Sequence, residues 1–216
     1  MTWGRAFLDL LFPCCCPGCG KKTDDAAPWC EDCIRLFWHP RLISTSHDKY
    51  LEGCYTCCQY KEGLRKSLLA LKYKKNQGRE GTYAMLLARF PWWERLDRCT
   101  MAVPVPLGEE HRKKRGYNQC DIIFQRFLEE KGLPYRTDCL LRHRNTRTQS
   151  SLSLPERKDN VKHAFHCAPG LSLAGERVLL VDDIYTTGST MKEAAKELRR
   201  HGAASVIGLT LASGAL

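Results

Sequence analysis

The most constraining feature of this chain is one continuous stretch, Arg177-Val178-Leu179-Leu180-Val181-Asp182-Asp183-Ile184-Tyr185-Thr186-Thr187-Gly188-Ser189-Thr190. Its apolar start reads as a parallel strand covered on both faces, because neither alternating set of side chains is polar. Asp182 and Asp183 stand at the carboxyl end of that run, and a small, hydroxyl-rich turn then opens a helix. Helix starts present unpaired N–H groups and a positive dipole end, which together attract phosphate. Thr186, Thr187, Ser189 and Thr190 add hydroxyl donors, and Gly188 allows close backbone approach. Two neighbouring carboxylates would repel a phosphate unless they accept hydrogen bonds from sugar hydroxyls beside a divalent cation. A strand end at Asp182 and a helix cap at Thr190 would explain two of these residues and leave the rest without a role. The stretch therefore predicts a phosphosugar site. Neither a Gly-x-x-x-x-Gly-Lys-Ser/Thr loop nor a Gly-x-Gly-x-x-Gly after a strand occurs to support the other common phosphate-binding turns.

Upstream, apolar periodicity alternates between strand and helix. Strands are expected over 53–60, 100–105, 135–142 and 205–211, and helices over 63–73, 80–90, 121–131 and 191–201. Gly132 and Gly202 are natural stops for the last two helices. Strands separated by helices of this length imply an α/β fold with a parallel sheet. The 216 residues suffice for a full hydrophobic core without disulfides. No apolar run approaches the roughly 18–20 residues that cross a bilayer. The opening stretch from Met1 to Phe12 is interrupted by Arg5 and Asp9 and makes a poor signal peptide, so a cytoplasmic protein with no membrane span is expected.

Charge marks a boundary. Residues 1–51 hold six basic and six acidic side chains, so the whole net charge of +10 falls on residues 52–216. We divide the chain there, into an N-terminal arm with a cysteine segment (1–51) and a larger domain (52–216). Arg112, Lys113, Lys114 and Arg115 form one basic cluster, expected on a loop. Arg142, Arg144 and Arg147 form another. Either set suits pyrophosphate or a nucleic-acid strand, although a single exposed Lys is usually only solvated surface. Residues 61–79 carry seven basic side chains against Glu62 alone, with Tyr60 and Tyr73 as possible stacking faces for bases or as core.

Thirteen cysteines, six of them between Cys14 and Cys33, fit a local metal site in a reducing compartment better than a disulfide net. Cys16-x-x-Cys19 and Cys30-x-x-Cys33 supply two chelating turns, the spacing of a closed four-sulfur structural Zn²⁺ site. Cys14 or Cys15 replaces Cys16 if the first turn shifts. Cys54-x-x-Cys57 falls on an expected strand, where residues three apart face opposite ways. Cys54, Cys57, Cys58, Cys99, Cys120, Cys139 and Cys167 are expected to be buried free thiols.

The Arg177–Thr190 stretch resembles the signature of type I phosphoribosyltransferases, which bind phosphoribosyl pyrophosphate (PRPP). With Leu71-Lys72-Tyr73, Val103-Pro104-Val105-Pro106, Arg115-Gly116-Tyr117-Asn118-Gln119, Arg144-Asn145-Thr146, Gln149, Glu156-Arg157-Lys158-Asp159-Asn160-Val161 and the cysteine start, the chain resembles the ComF family over nearly its whole length. That resemblance implies a type I phosphoribosyltransferase fold preceded by a zinc-binding segment. It implies that Asp182 and Asp183 hold the ribose hydroxyls, and that Thr186, Thr187, Gly188, Ser189 and Thr190 hold the 5′-phosphate of PRPP bound with Mg²⁺. The loop after Val105 would face pyrophosphate, and residues 142–161 would cover the site.

The resemblance leaves three functions open. The leading one is DNA uptake in natural competence, through single-stranded DNA and a competence helicase, with a PRPP site. The second is an active phosphoribosyltransferase with an unidentified nitrogen acceptor and no assignable catalytic residue. The third is a docking module regulated by PRPP.

Overall fold

The computed structural model describes residues 14–24, 27–43, 48–73, 80–142 and 163–214. Its chain order is α1 (Glu31–Phe37), β1 (Trp38–Ile43), β2 (Cys54–Gln59), α2 (Glu62–Tyr73), α3 (Glu80–Ala88), β3 (Met101–Pro104), α4 (Glu109–Arg115), a π-helical turn (Asp121–Gln125) running into α5 (Arg126–Glu130), β4 (Leu140–Arg142), β5 (Phe165–Cys167), β6 (Arg177–Tyr185), α6 (Ser189–Arg200) and β7 (Ser205–Ser213).

Five strands form one sheet in the order β1-β2-β7-β6-β3. The pairs β2–β7, β7–β6 and β6–β3 are parallel, whereas β1 runs antiparallel to β2 at the edge. The expected parallel core is present, and the antiparallel edge strand is an addition that periodicity missed. Trp38-His39-Pro40-Arg41-Leu42-Ile43 has no regular apolar alternation and is broken by a proline, so it does not read as a strand. It pairs on one side only, where a missing N–H is tolerated.

β6 and β7 form the centre, and their residues explain the position. Val178, Leu179, Leu180 and Val181 are fully buried, as are Val206, Leu209, Leu211 and Ala212, so both faces of these strands are covered. On one face α6 lays down Met191, Ala194, Ala195 and Leu198, four buried residues at helical spacing. On the other face lie Leu64, Leu68 and Leu71 of α2 with Tyr83, Leu86 and Leu87 of α3. Trp29 and Phe37 belong to that same core, with their rings edge to face at 4.9 Å. Residues ahead of position 51 therefore supply both an edge strand and core side chains to the larger domain.

Several boundaries differ from expectation for local reasons. The single expected strand over 135–142 is an isolated bridge at Tyr135 followed by β4, which pairs with β5 in a separate two-stranded sheet. Residues 112–115, expected on a loop, complete α4. Glu109 and Glu110 sit in its first turn and four basic residues in its last, the charge order that suits a helix dipole. Among the described residues no helix is long and apolar enough to cross a membrane.

Candidate functional site

β6 runs on through the acid pair to Tyr185, so Asp182 and Asp183 belong to the strand rather than to the turn after it. Asp182 sits opposite Thr210 of β7. The turn follows at once, and its glycine is dictated twice. Gly188 has φ +76°, and a Cβ there would stand 2.1 Å from the Tyr185 hydroxyl oxygen. Only glycine meets both conditions at low cost. Thr187 Oγ1 lies 3.0 Å from Ser189 Oγ, which gathers two hydroxyls at the first turn of α6.

A cleft of about 520 Å³ opens at this end of the sheet, within the roughly 300–1,000 Å³ usual for small-molecule sites. Asp182, Asp183, Thr186 and Thr190 line one side of it. Facing them are Lys72 and Arg65 of α2, His111 and Arg115 of α4, and Arg142 of β4. Of the basic cluster on α4, only Arg115 reaches the cleft. Arg112 and Lys114 are exposed, and Lys113 pairs with Glu109 at 2.8 Å on the outer surface. Arg144 and Arg147, with the rest of the expected covering loop, lie outside the described residues, as do Lys74, Lys75, Arg79 and the N-terminal arm.

The Arg115–Gln119 segment divides its work residue by residue. Arg115 is steadied by a bond from its Nη1 to Gln119 Oε1 at 2.9 Å. Gly116, in the left-handed conformation, ends α4. The Tyr117 hydroxyl donates to the carbonyl of Leu71, one residue before Lys72. Asn118 donates from Nδ2 to the Val105 carbonyl at 3.0 Å, and its Oδ1 accepts from the Cys120 N–H at 3.1 Å. One short segment thus ties α2, the loop after β3 and the next helix around the cleft.

Lys72 is the cleft residue whose role periodicity did not show. Its Nζ lies 2.5 Å from Asp183 Oδ2, and both side chains are largely buried. Burial alone would lower the lysine, but the Asp183 charge and hydrogen bond outweigh it and hold Lys72 above its ordinary value. Among the described residues no cation pairs directly with Asp182. Its Oδ1 accepts from the Asp183 N–H at 2.8 Å and from the Cys120 thiol at 3.7 Å. Desolvation, then the neighbouring Asp183 carboxylate, push Asp182 up to about 8. His111 is also a cleft residue that sequence reasoning passed over. Burial and then the charges of Arg115 and Arg142 lower its pKa. A histidine beside a basic run carries no pattern that would have singled it out.

The second cluster gathers Cys16, Cys19, Cys30 and Cys33, whose sulfurs all lie within 4.8 Å of one another. Cys14 and Cys15 stand outside this group. Cys14 accepts from the Thr23 hydroxyl, and Cys15 bridges to Lys22. Burial works against a Cys16 thiolate, but backbone N–H groups of Cys30, Cys19 and Gly18 bring its pKa down to about 7. Burial and the neighbouring cysteine side chains push Cys33 the other way, up from its ordinary value. Four sulfurs gathered this closely, two from each turn, suit a tetrahedral metal site. The turn packs against the start of α2 so closely that a Cβ on Gly63 would stand 2.7 Å from the Gly18 Cα. The seven remaining cysteines are buried, as expected.

Comparison with known proteins agrees with these features. Residues 138–215 match the family model for the phosphoribosyl transferase domain. The DNA utilization protein YhgH of Salmonella typhi is 32% identical over 193 residues, covering 88% of this chain and 80% of that protein. The chain belongs to the ComF family. Competence protein F of Haemophilus influenzae is 40% identical over 101 residues, 46% of this chain and 44% of that protein. Competence protein ComFC of Bacillus subtilis is 27% identical over 202 residues, 91% of this chain and 76% of that protein. As a ComF protein the chain has a phosphoribosyltransferase fold with a four-cysteine cluster near its N-terminus.

Proposed function

We propose that this ComF protein binds PRPP with Mg²⁺ in the cleft and acts in DNA uptake during natural competence, through contacts with single-stranded DNA and a helicase. The observation that carries the reading is the composition of the cleft. An acid pair and a hydroxyl-lined helix start occupy one side, and Lys72, Arg115 and Arg142 converge from three other elements. In this reading Asp182 and Asp183 accept hydrogen bonds from the two ribose hydroxyls. The turn from Thr186 to Thr190 holds the 5′-phosphate through hydroxyls and the first N–H groups of α6. Arg115 and Arg142 neutralise pyrophosphate as charged, planar donors. Mg²⁺ would share the charge of the two acids with the pyrophosphate oxygens. Lys72 fixes Asp183 before ligand arrives.

Zinc in the four-cysteine cluster would serve structure rather than chemistry, since four protein sulfurs leave no open position. The same cations suit the phosphates of a single strand, and Tyr60 at the edge of the cleft offers a stacking face. Transferase turnover is a second reading. It draws on Tyr60, Leu69 and Leu107, apolar side chains of the cleft lining that a planar acceptor could pack against.

Isothermal titration with PRPP and Mg²⁺ tests the binding claim. Wild type is expected to bind, and Asp183→Asn to lose about 10–100-fold, the usual worth of a hydrogen bond to a charged group. Equal affinity for the two proteins would remove the acid pair from the site.

A further inference from the structure

A third group of metal-ligating side chains lies at the opposite end of α6 from the phosphate turn. Cys167 of β5, Glu197 of α6 and His201, just past the end of that helix, bring one sulfur, one oxygen and one nitrogen within 4.8 Å of one another. Glu197 and His201 are four residues apart, so one helical face presents both. Cys167 comes from a different element and is buried, whereas His201 is about one-third exposed on its side chain.

We propose that Cys167, Glu197 and His201 form a second divalent-metal site that takes zinc or a similar borderline ion. The geometry suits such an ion. His201 Nδ1 and Glu197 Oε1 are 3.5 Å apart, and a tetrahedral ion bonded at ~2.1 Å to each requires ~3.4 Å. The mixed sulfur, nitrogen and carboxylate set is one that zinc accepts. Three protein ligands with an exposed histidine leave a fourth position for water or another ligand. The carboxyl end of a helix dipole also favours a cation.

Without metal, each ligand has a modest local contact. Nδ1 lies 3.1 Å from the Glu197 carbonyl oxygen, and the Cys167 thiol is 3.9 Å from that same atom. A histidine bonded to the carbonyl four residues earlier is a common helix ending. Glu197 Oε2 also lies 3.9 Å from Arg200 Nη1, but neither contact accounts for the buried thiol beside the histidine. On coordination the Nδ1 proton moves to Nε2 and the thiol proton leaves to solvent, so the ion meets a neutral imidazole, a thiolate and a carboxylate.

The site would act as a clip. Among the described residues β5 pairs only with β4, through Leu140–Cys167, Leu141–His166 and Arg142–Phe165, in a sheet separate from the main one. An ion at Cys167 would fasten this hairpin to α6, and the hairpin carries Arg142 into the cleft. Metal at this site thereby stabilises the position of one of the cleft's cations.

Cadmium-113 NMR on the full-length reduced protein tests the assignment, with one to three equivalents of cadmium added. Wild type is expected to show two resonances, a far-downfield signal from four sulfurs and a second, upfield one from mixed ligands. His201→Ala alters a partly exposed side chain and is expected to keep the fold, checked by circular dichroism. It should lose only the mixed-ligand signal and bind one metal fewer per chain by mass spectrometry. Cys167→Ala should do the same. A mixed-ligand signal that survives His201→Ala, or its absence from wild type, would overturn the second site. The four-sulfur signal reports on the first cluster independently.

Discussion

Asp182 and Asp183 are neighbours with opposite electrostatic situations. Asp183 is neutralised by Lys72 at 2.5 Å, whereas Asp182 is pushed up to about 8 by burial and by Asp183. The folded-state value of Asp182 lies above its ordinary 3.8. Its contribution to stability is therefore fully present below the ordinary value, and declines with rising pH until the loss is complete above about 8. Asp182→Asn, which cannot ionise, is expected to melt about 2–5 °C higher than wild type at pH 8. The gap should narrow towards pH 5, while PRPP binding weakens at both. Thermal melts across that range check the sign, and an equal gap at both pH values would contradict it. Lys72→Met leaves a buried carboxylate unpaired, a loss of about 3–5 kcal/mol. The double variant Lys72→Met/Asp183→Asn should recover part of that loss in a double-mutant cycle. Additive losses would mean that the two side chains are not coupled.

At the scale of elements, the strand–turn–helix unit from β6 through α6 is where function and fold coincide. Gly188 joins the two, and alanine there meets both a left-handed φ and the Tyr185 hydroxyl. Gly188→Ala is expected to cost about 1–3 kcal/mol by denaturant unfolding. Tyr185→Phe in the same chain should return part of it, because the hydroxyl oxygen is the nearest atom. No rescue would place the whole cost in the backbone. This unit was legible in the sequence because its signals are local: an unbroken apolar run, paired acids, small hydroxyl residues and an amphipathic helix. The four-cysteine cluster was legible for the same reason, since spacing alone nearly defines it. What escaped depends on partners far along the chain. β1 is a strand because β2 offers it an edge, and its own irregular pattern, with Pro40 inside it, gives no sign of it. Lys72 is a cleft residue because α2 ends beside β6, and nothing in the basic stretch 61–79 sets it apart from the other six cations there. Even α4 had a readable charge order, masked by the basic run that suggested a loop.

Across the whole molecule, the cysteine segment and the cleft are mechanically connected. The turn holding Gly18 packs on Gly63 at the start of α2, and the other end of α2 carries Lys72 into the cleft. Trp29 and Phe37 pack in the same core as Leu64 and Leu68. A metal present at a thousandfold excess over its dissociation constant contributes about 4 kcal/mol to such a structure. Chelation should therefore lower Tm by about 10 °C and weaken PRPP binding at a site that contains no cysteine ligand. Unchanged PRPP affinity after verified metal removal would separate the two regions. The same packing makes deletion of residues 1–50 a poor test of partner docking, because it removes an edge strand and two core aromatics along with any docking surface. A substitution such as Cys30→Ser perturbs the cluster while leaving the edge strand and both aromatics in the chain.

The central claim is that one cationic cleft serves both PRPP and a single DNA strand. Fluorescence anisotropy of a labelled single-stranded oligonucleotide, at two salt concentrations and with or without PRPP and Mg²⁺, measures it directly. The account predicts binding that weakens steeply with salt, as phosphate contacts require, and that PRPP with Mg²⁺ displaces. Binding indifferent to PRPP, or none at low salt, would contradict it.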